Sequence, residues 1–82
     1  MVLYILVRKN FEEDASELYK VDVYTTKQEA YEKMRSECMS IVDEEVQKDS
    51  IELFNWYIHS DYACIRHPYY EVNWEIYQRE VY

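Results

Sequence analysis

The stretch "TTKQEAYEKMRSECMSIVDEEVQKD", residues 25–49, decides the fold that this sequence predicts. Thr26 and Glu29 have the spacing of a capping box, in which side chains satisfy the free backbone N–H groups at a helix start. Apolar residues then recur every four positions and form one stripe along a helix. The stripe contains Ala30, Met34, Cys38, Val42 and Val46, with Ile41 beside it. We therefore predict one long helix that begins at Thr26 and ends near Lys48 to Ser50.

The segments before this helix predict a hairpin with a long loop. "VLYILVR", residues 2–8, is apolar at nearly every position, which is typical of a strand in the middle of a sheet with both faces covered. "LYKVDVYT", residues 18–25, alternates, with Tyr19, Val21 and Val23 on one face. The polar, acidic residues 10–17 connect the two strands.

The segments after the helix predict a second hairpin. "DYACIRH", residues 61–67, and "YEVNWEIYQREVY", residues 70–82, both alternate in polarity, and Pro68 must end the first of them because it lacks a ladder donor. "IELFNWYIH", residues 51–59, suits a short helical turn as well as a strand, and we treat it as irregular. The expected fold is a single α+β domain over residues 1–82, ββαββ, in which the long helix packs on one face of an antiparallel sheet of about four strands.

The helix should also carry ion pairs on its solvent side. Glu29 with Lys33 and Glu44 with Lys48 are four residues apart, a spacing at which opposite charges stabilise a helix by about 0.2–0.5 kcal/mol per pair. We expect both pairs to form.

Composition excludes several classes of function. The chain has 82 residues, a net charge of -8 and no glycine, and phosphate-cradling nucleotide sites need glycine for the close approach of backbone N–H groups. Nine basic residues against seventeen acidic ones, without a basic cluster, disfavour direct binding of nucleic acid. Because the sequence contains neither a long apolar run nor a signal peptide, we expect a cytoplasmic protein with reduced thiols and no membrane contact.

The stretch "IHSDYACIRHPYY", residues 58–70, raises the question of a metal or catalytic site. The gaps between His59, Cys64 and His67 do not match a zinc knuckle, and in a strand Cys64 and His67 point to opposite faces. Cys38 lies in the apolar stripe, where a thiol behaves as a small hydrophobe. The adjacent residues of "HSD", 59–61, cannot converge on one reacting atom as a hydrolytic triad does. We expect no metal, no cofactor and no catalytic residue.

Acidic residues concentrate in two places, the first loop and the helix. Those in the loop are Glu12, Glu13, Asp14 and Glu17, and those on the helix without a basic residue four positions on are Glu32, Glu37, Asp43, Glu45 and Asp49. Such runs are often solvated faces that keep a protein soluble. They can also present carboxylates to a basic groove of a partner protein in imitation of nucleic-acid phosphates. The sequence leaves both interpretations open.

Ten tyrosines are an unusual number for so short a chain. Tyrosine fills strands well, and it is also enriched at binding surfaces. A single helix covers only one side of a sheet, so we expect the other face to carry an exposed aromatic patch, and such patches mark interfaces. The tyrosines assigned to that face are Tyr4, Tyr24, Tyr62 and Tyr77, with Tyr57, Tyr69 and Tyr70 near its ends.

The N-terminal hairpin, the segment "TTKQEA" and the closing strand "NWEIYQREV" resemble small uncharacterised acidic proteins of Firmicutes and of their phages and mobile elements. Size, acidity and tyrosine content are also similar to those of phage-encoded anti-CRISPR proteins, some of which bind the nucleic-acid channel of their target. The resemblance implies an inhibitor that binds a protein and has no catalytic motif.

We therefore expect a non-enzymatic acidic binding protein, anti-CRISPR-like, that occupies a basic nucleic-acid-binding surface of a partner protein. The candidate partner-binding residues are Glu12, Glu13, Asp14, Glu32, Glu37, Asp43, Glu45, Tyr4, Tyr62 and Tyr77. One alternative is a homodimer or interaction module that uses a tyrosine-rich sheet face. Another is a small metal protein or enzyme centred on Cys64, His59 and His67.

Overall fold

A computed structural model describes residues 1–12, 18–48 and 54–81 and contains one helix and five strands. In chain order these elements are β1 (Val2–Glu12), β2 (Leu18–Tyr24), α1 (Lys27–Gln47), β3 (Asn55–Ile58), β4 (Tyr62–His67) and β5 (Tyr70–Glu80). All strand pairs are antiparallel, and the order across the sheet is β2-β1-β5-β4-β3. The predicted α+β class, with one helix packed on an antiparallel sheet, is confirmed.

The expected number of about four strands is wrong, because residues 55–58 form a fifth strand at the edge of the sheet. Trp56 lies opposite Ile65 and Ile58 opposite Ala63 in the pairing of β3 with β4. Phe54 is buried in the core just before this strand, and Ile58 packs against the same core. These contacts hold the segment against the sheet, whereas its aromatic composition alone fitted two conformations. Residues 51–53 lie outside the described part of the chain.

Strand β1 lies in the middle of the sheet, as the sequence predicts. It pairs with β2 on one side and with β5 along its whole length on the other, so the first and last strands join the two hairpins. Residues 10–12, assigned to the first loop, continue β1 instead, because Glu12 still pairs with Tyr70. The other residues predicted for that loop, 13–17, are not among the described ones.

The predicted helix start is confirmed. The Oγ1 atom of Thr26 accepts a hydrogen bond from the backbone N–H of Glu29 at 3.2 Å, and the Thr26 hydroxyl donates to the Glu29 carboxylate at 2.9 Å. The carboxylate of Glu29 accepts hydrogen bonds from the hydroxyls of Thr25 and Thr26 and does not form the expected ion pair with Lys33, so that prediction is wrong. At the other end Lys48 is the C-cap, within the predicted range, and its ammonium forms the predicted pair with Glu44 at 3.4 Å.

The apolar stripe is confirmed for its first four members and wrong for the fifth. Ala30, Met34, Cys38 and Val42 are buried, while Val46 is 42 % exposed and Glu45 is buried in its place. A step of four residues turns the helix by about 400°, about 40° more than a full turn, so a strict four-residue repeat rotates out of the interface. A step of three from Val42 brings position 45 back toward the sheet.

The core lies between α1 and one face of the sheet. Leu6, Ile65, Val72 and Trp74 from the strands pack with Met34, Cys38 and Val42 from the helix. Trp74 is completely buried, and the Arg8 guanidinium lies 5.3 Å from the centre of its ring. The core is therefore one-sided, and every strand has a second face that α1 does not reach.

Candidate functional site

The sheet face away from α1 is not covered by any other described element, and we call it the open face. The strand registers and the alternation of side chains fix its members. They are Leu3, Ile5, Val7, Lys9 and Phe11 of β1, Tyr19, Val21 and Val23 of β2, Glu71, Asn73, Glu75, Tyr77 and Arg79 of β5, Tyr62, Cys64 and Arg66 of β4, and Asn55 and Tyr57 of β3.

One half of the open face is aliphatic. Val23 lies opposite Ile5 and Val21 lies opposite Val7 in the β1–β2 pairing, and both β2 valines are 57 % exposed. We call these four residues the aliphatic patch. Tyr19 extends it toward the start of β2, where the Lys9 ammonium lies 5.9 Å from the centre of the tyrosine ring. Exposed apolar side chains that are grouped together in this way are typical of a contact surface.

The other half of the open face is aromatic. The rings of Tyr57, His59 and Tyr62 contact one another, with centroids 4.5 Å apart for the stacked His59–Tyr62 pair and 5.8 Å for the two tyrosines. These rings lie over the β3–β4 hairpin, where Cys64 is buried. A hydrogen bond with Cys64 is the main cause that raises the pKa of Tyr57. The thiol is therefore covered from this side.

The tyrosine assignment is correct for Tyr57, Tyr62 and Tyr77 and wrong for Tyr4, Tyr24 and Tyr70. Tyr70 packs against the core and donates a hydrogen bond to Glu45 of α1. Tyr24 packs against the core, and Tyr4 lies opposite Tyr24 in the register and alternates in phase with the buried Leu6. Both residues are thus on the α1 side of the sheet. The error arises because β1 is apolar on both faces, so that its sequence does not indicate which face the helix covers.

Two of the proposed partner-binding acids are turned toward the sheet. The Glu37 carboxylate lies 3.2 Å from Arg8 Nη1 and 3.4 Å from Lys20 Nζ. Glu45 accepts a hydrogen bond from the Tyr70 hydroxyl at 2.9 Å. Each carboxylate compensates polar groups of the sheet at the α1 interface, and the role of Glu37 and Glu45 in partner binding stays a prediction.

The remaining helix acids do not make the solvent face of α1 acidic. Glu32 and Asp43 are exposed as predicted, but acids and bases balance there. The exposed acids of the helix and its C-cap are Glu29, Glu32, Asp43 and Glu44, and the exposed bases are Lys27, Lys33, Arg35 and Lys48. The outer face of the helix is therefore neutral overall.

The excess negative charge lies elsewhere in the chain. Five of the seventeen acids and none of the nine basic residues fall in segments 13–17 and 49–53, so the described residues carry a net charge of only -3. Glu13 and Asp14 belong to these segments and lie outside the described residues. Glu12 is described and exposed at the end of β1. Glu12 pairs with Tyr70, and Tyr70 contacts Glu45 near the C-terminus of α1. The end of β1, after which segment 13–17 begins, and the end of α1, after which segment 49–53 begins, therefore lie at the same end of the molecule.

The two histidines lie on opposite sides of the sheet. His59 contacts Tyr57 and Tyr62 on the open face, whereas His67 stacks on Tyr70 beneath α1 with centroids 4.5 Å apart. Cys64 and His67 face opposite ways, as the alternation predicts. Among the residues that the structure describes, no group of three or more His, Cys, Asp and Glu side chains could hold a metal ion.

His67 has both ring nitrogens engaged. Nδ1 accepts a hydrogen bond from the Tyr69 backbone N–H at 3.2 Å, so the neutral ring carries its proton on Nε2, which lies 3.4 Å from Oε2 of Glu45. Burial, and then the hydrogen bond with Glu45, raises the pKa of Tyr70 far above its ordinary value. The cluster of His67, Tyr70 and Glu45 ties the helix to the sheet, and neither nitrogen of the histidine is available to a substrate.

A pocket of about 260 Å³ lies at the same end of the molecule, between the last turns of α1 and strands β1 and β5. The residues that line it include the apolar Ile41 and Val72 and charges that are already paired, such as Lys48 with Glu44. The pocket thus offers a small ligand few polar groups that are not already compensated.

No family model, curated protein or solved structure matches the chain. The resemblance to acidic phage proteins and to anti-CRISPR proteins stays a prediction. Within the described residues, no helix is long and apolar enough to cross a membrane.

The aliphatic patch is the part of the site that sequence reasoning missed, although a signal for it was present. "VLYILVR" predicts a strand covered on both faces, and "VDV" at 21–23 places two valines on the face of the neighbouring strand that carries Tyr19. With one helix available, one of the two faces of β1 had to remain open.

Proposed function

We propose that this protein is a non-enzymatic binding protein and that the open face of its sheet is where it docks a protein partner. The observation that carries this proposal is the exposure of Val21 and Val23, each 57 % exposed beside Ile5 and Val7 in a continuous aliphatic patch. Burying apolar surface contributes roughly 25 cal/mol per Å², so a partner that covers this patch gains free energy from several side chains at once.

The surroundings of the patch fit an interface core with a polar rim. Tyr77 lies opposite Ile5 on β5 and offers a large apolar ring at the border of the patch. Glu75 lies opposite Val7 on β5, and Lys9 and Arg79 lie nearby on the same face. Aromatic residues at the centre with charges around them are the usual composition of protein interfaces. The tyrosine anchors of this surface are Tyr19, Tyr62 and Tyr77.

The non-enzymatic part of the proposal is supported by the geometry of the polar groups. His67, the histidine with a carboxylate partner, has its Nδ1 bonded to the backbone and its Nε2 directed at Glu45. The thiol of Cys38 is buried under α1, and its pKa is raised to about 11, mainly by burial and then by Cys64. A thiolate nucleophile needs a lowered pKa and access to substrate.

A second candidate function is the anti-CRISPR-like inhibitor that occupies a basic, nucleic-acid-binding surface of a partner. The observation that favours it is the concentration of acids in segments 13–17 and 49–53, which contain no basic residue and start from one end of the molecule. An excess of carboxylates in these segments would attract a cationic groove over a long range and speed its association. In this function the outer face of α1 contributes little, because its charges balance.

Paired valine variants test which surface binds. Val23→Lys places a charge in the aliphatic patch, and Val46→Lys makes the same change at an exposed valine of α1. Tagged proteins would be used to capture partners from a host lysate, with circular dichroism confirming that each variant is folded. We expect Val23→Lys to abolish capture and Val46→Lys to retain it. Capture that survives Val23→Lys but is lost on adding salt would contradict the proposal and favour the acidic segments.

A further inference from the structure

We propose that a second copy of this chain covers the open face, so that two sheets pack face to face and the two helices lie on the outside. This inference rests on the proposed function, since it names the occupant of the same docking surface. The assembly would be a symmetric dimer of four layers, helix, sheet, sheet and helix. Two sheets stacked in this way pack about 10 Å apart and interdigitate the side chains of their inner faces.

The first argument is electrostatic. Two copies of a chain with a net charge of -8 repel each other unless their contact surface is free of that charge. The open face contains three basic residues, Lys9, Arg66 and Arg79, and two acidic residues, Glu71 and Glu75, so its net charge is +1. It can therefore face a copy of itself, whereas it offers no attraction to a strongly basic partner.

The pairing of these charges strengthens the argument. Arg66 and Glu71 form a salt bridge at 3.3 Å on the face itself, and the Tyr77 hydroxyl donates a hydrogen bond to Glu75. The Lys9 ammonium lies over the ring of Tyr19. Charges compensated within one copy can be brought near a second copy at a smaller cost than uncompensated ones.

The second argument is the area available. Strands about 4.8 Å apart and residues about 3.3 Å apart along a strand give this five-stranded sheet an open face of roughly 500–800 Å². A standard protein interface buries about 800 Å² on each partner. The face is thus large enough for a dimer of moderate affinity, and the aliphatic patch would be its apolar centre.

The third argument comes from the central strand. β1 is apolar on both faces, with Leu6 buried beneath α1 and Leu3, Ile5 and Val7 on the open side. Central strands of this composition normally have both faces covered. Stacking a second sheet supplies the missing cover.

The β2 edge of the sheet favours face-to-face packing over pairing of strands side by side. β2 is an edge strand, and it carries Lys20 and Asp22 on the α1 side of the sheet. Charged side chains on an edge strand disfavour the addition of another strand. The apolar residues of β2, Val21 and Val23, point at the open face and are free to contact a stacked sheet.

Sedimentation equilibrium of the full chain from micromolar to millimolar concentration tests the inference. We expect the wild type to reach the mass of a dimer, Val46→Lys to match it, and Val23→Lys to remain monomeric. Because the charges of the face nearly balance while each copy carries a net charge of -8, added salt should leave the dimer affinity unchanged or raise it, in contrast to complexes held by unlike net charges, which salt weakens. If Val23→Lys fails to fold, Val21→Thr with Val23→Thr keeps the β-branched shape and should still weaken the dimer at least tenfold.

Each alternative outcome contradicts a specific claim. A wild type that stays monomeric at millimolar concentration, or a dimer that persists in folded Val23→Lys, overturns the inference of a second copy. If the wild type is monomeric and captures another protein, and Val23→Lys abolishes that capture, the dimer is overturned but the open face remains the docking surface. A monomeric wild type whose capture is insensitive to Val23→Lys overturns both proposals.

Discussion

Glu45 joins the helix to the sheet through a set of buried polar contacts. Its carboxylate accepts a hydrogen bond from Tyr70, lies 3.4 Å from His67 Nε2, and lies 3.9 Å from Lys48 Nζ. A carboxylate that is only 7 % exposed is tolerated because these groups compensate its charge. Glu44, the preceding residue, is exposed to solvent and pairs only with Lys48 among the described residues.

Removing the Glu45 carboxylate should therefore destabilise the protein. Glu45→Ala leaves the Tyr70 hydroxyl without its acceptor, and we expect a loss of about 2 kcal/mol in the free energy of unfolding. Glu44→Ala is the matched control, and it should change that free energy by no more than about 0.5 kcal/mol, since exposed ion pairs contribute little. Urea denaturation of the two variants measures both values. Equal effects would show that Glu45 is not a structural residue.

The buried thiol of Cys38 predicts a dependence of stability on pH. Burial, followed by the influence of Cys64, raises its pKa from 9.0 to about 11. Since the folded-state pKa is the higher one, the neutral thiol stabilises the fold fully below pH 9, and this stabilisation is lost as the pH rises through 11. We expect the free energy of unfolding to fall across this window and to fall less steeply in Cys38→Ala. Parallel pH profiles for the two proteins would contradict the assignment.

At the scale of the elements, the sequence predicts what local periodicity determines. The Thr26 cap, the buried positions from Ala30 to Val42 and the alternation around Trp74 all follow from patterns within one segment. The pairing of β1 with β5 and the strand at 55–58 depend on contacts between distant segments, which no local pattern encodes. The sequence also predicts the wrong face for Tyr4. Because β1 is apolar at both alternating sets of positions, its sequence does not indicate which set faces the helix.

Two single variants test which face of α1 carries the buried apolar stripe, and each places an aspartate at one position of the helix. Met34→Asp places an unpaired charge in the core beneath α1 and should abolish the cooperative thermal transition. Val46→Asp makes a similar change at an exposed position, so it should leave the melting temperature within a few degrees of the wild type. Circular dichroism melts of both variants provide the comparison. A normal melt for Met34→Asp would mean that another face of α1 packs on the sheet.

At the scale of the whole molecule, the excess negative charge of the chain lies neither on the open face nor on the outer face of α1. The open face is nearly neutral, the outer face of α1 is balanced, and the excess acids are concentrated in segments 13–17 and 49–53. The sequence predicted tyrosine anchors surrounded by carboxylates in one site. The structure places Tyr62 and Tyr77 on one side of the sheet and Glu32 and Asp43 on the other, so a single flat partner surface cannot contact both sets.

This separation predicts different responses to charge reversal. Glu32→Lys with Asp43→Lys changes the outer face of α1, and it should leave dimer affinity unchanged within about twofold because electrostatic effects decay over a Debye length of about 10 Å. Association with a basic partner protein should also change little, since the helix face is neutral before the change. Kinetic binding at two ionic strengths measures both. A large drop in the rate of association with the partner would show that Glu32 and Asp43 are binding residues.

Methyl NMR of the wild type during dilution from millimolar to micromolar concentration tests the central claim most directly. If two open faces pack together, the methyl signals of Val7, Val21 and Val23 should shift along one dissociation curve, while those of Val42 on the buried face of α1 and of Val46 on its exposed face stay in place. Shifts confined to Val46, or no shift in the valines of the aliphatic patch over the whole range, would contradict an open face that is covered by a second copy.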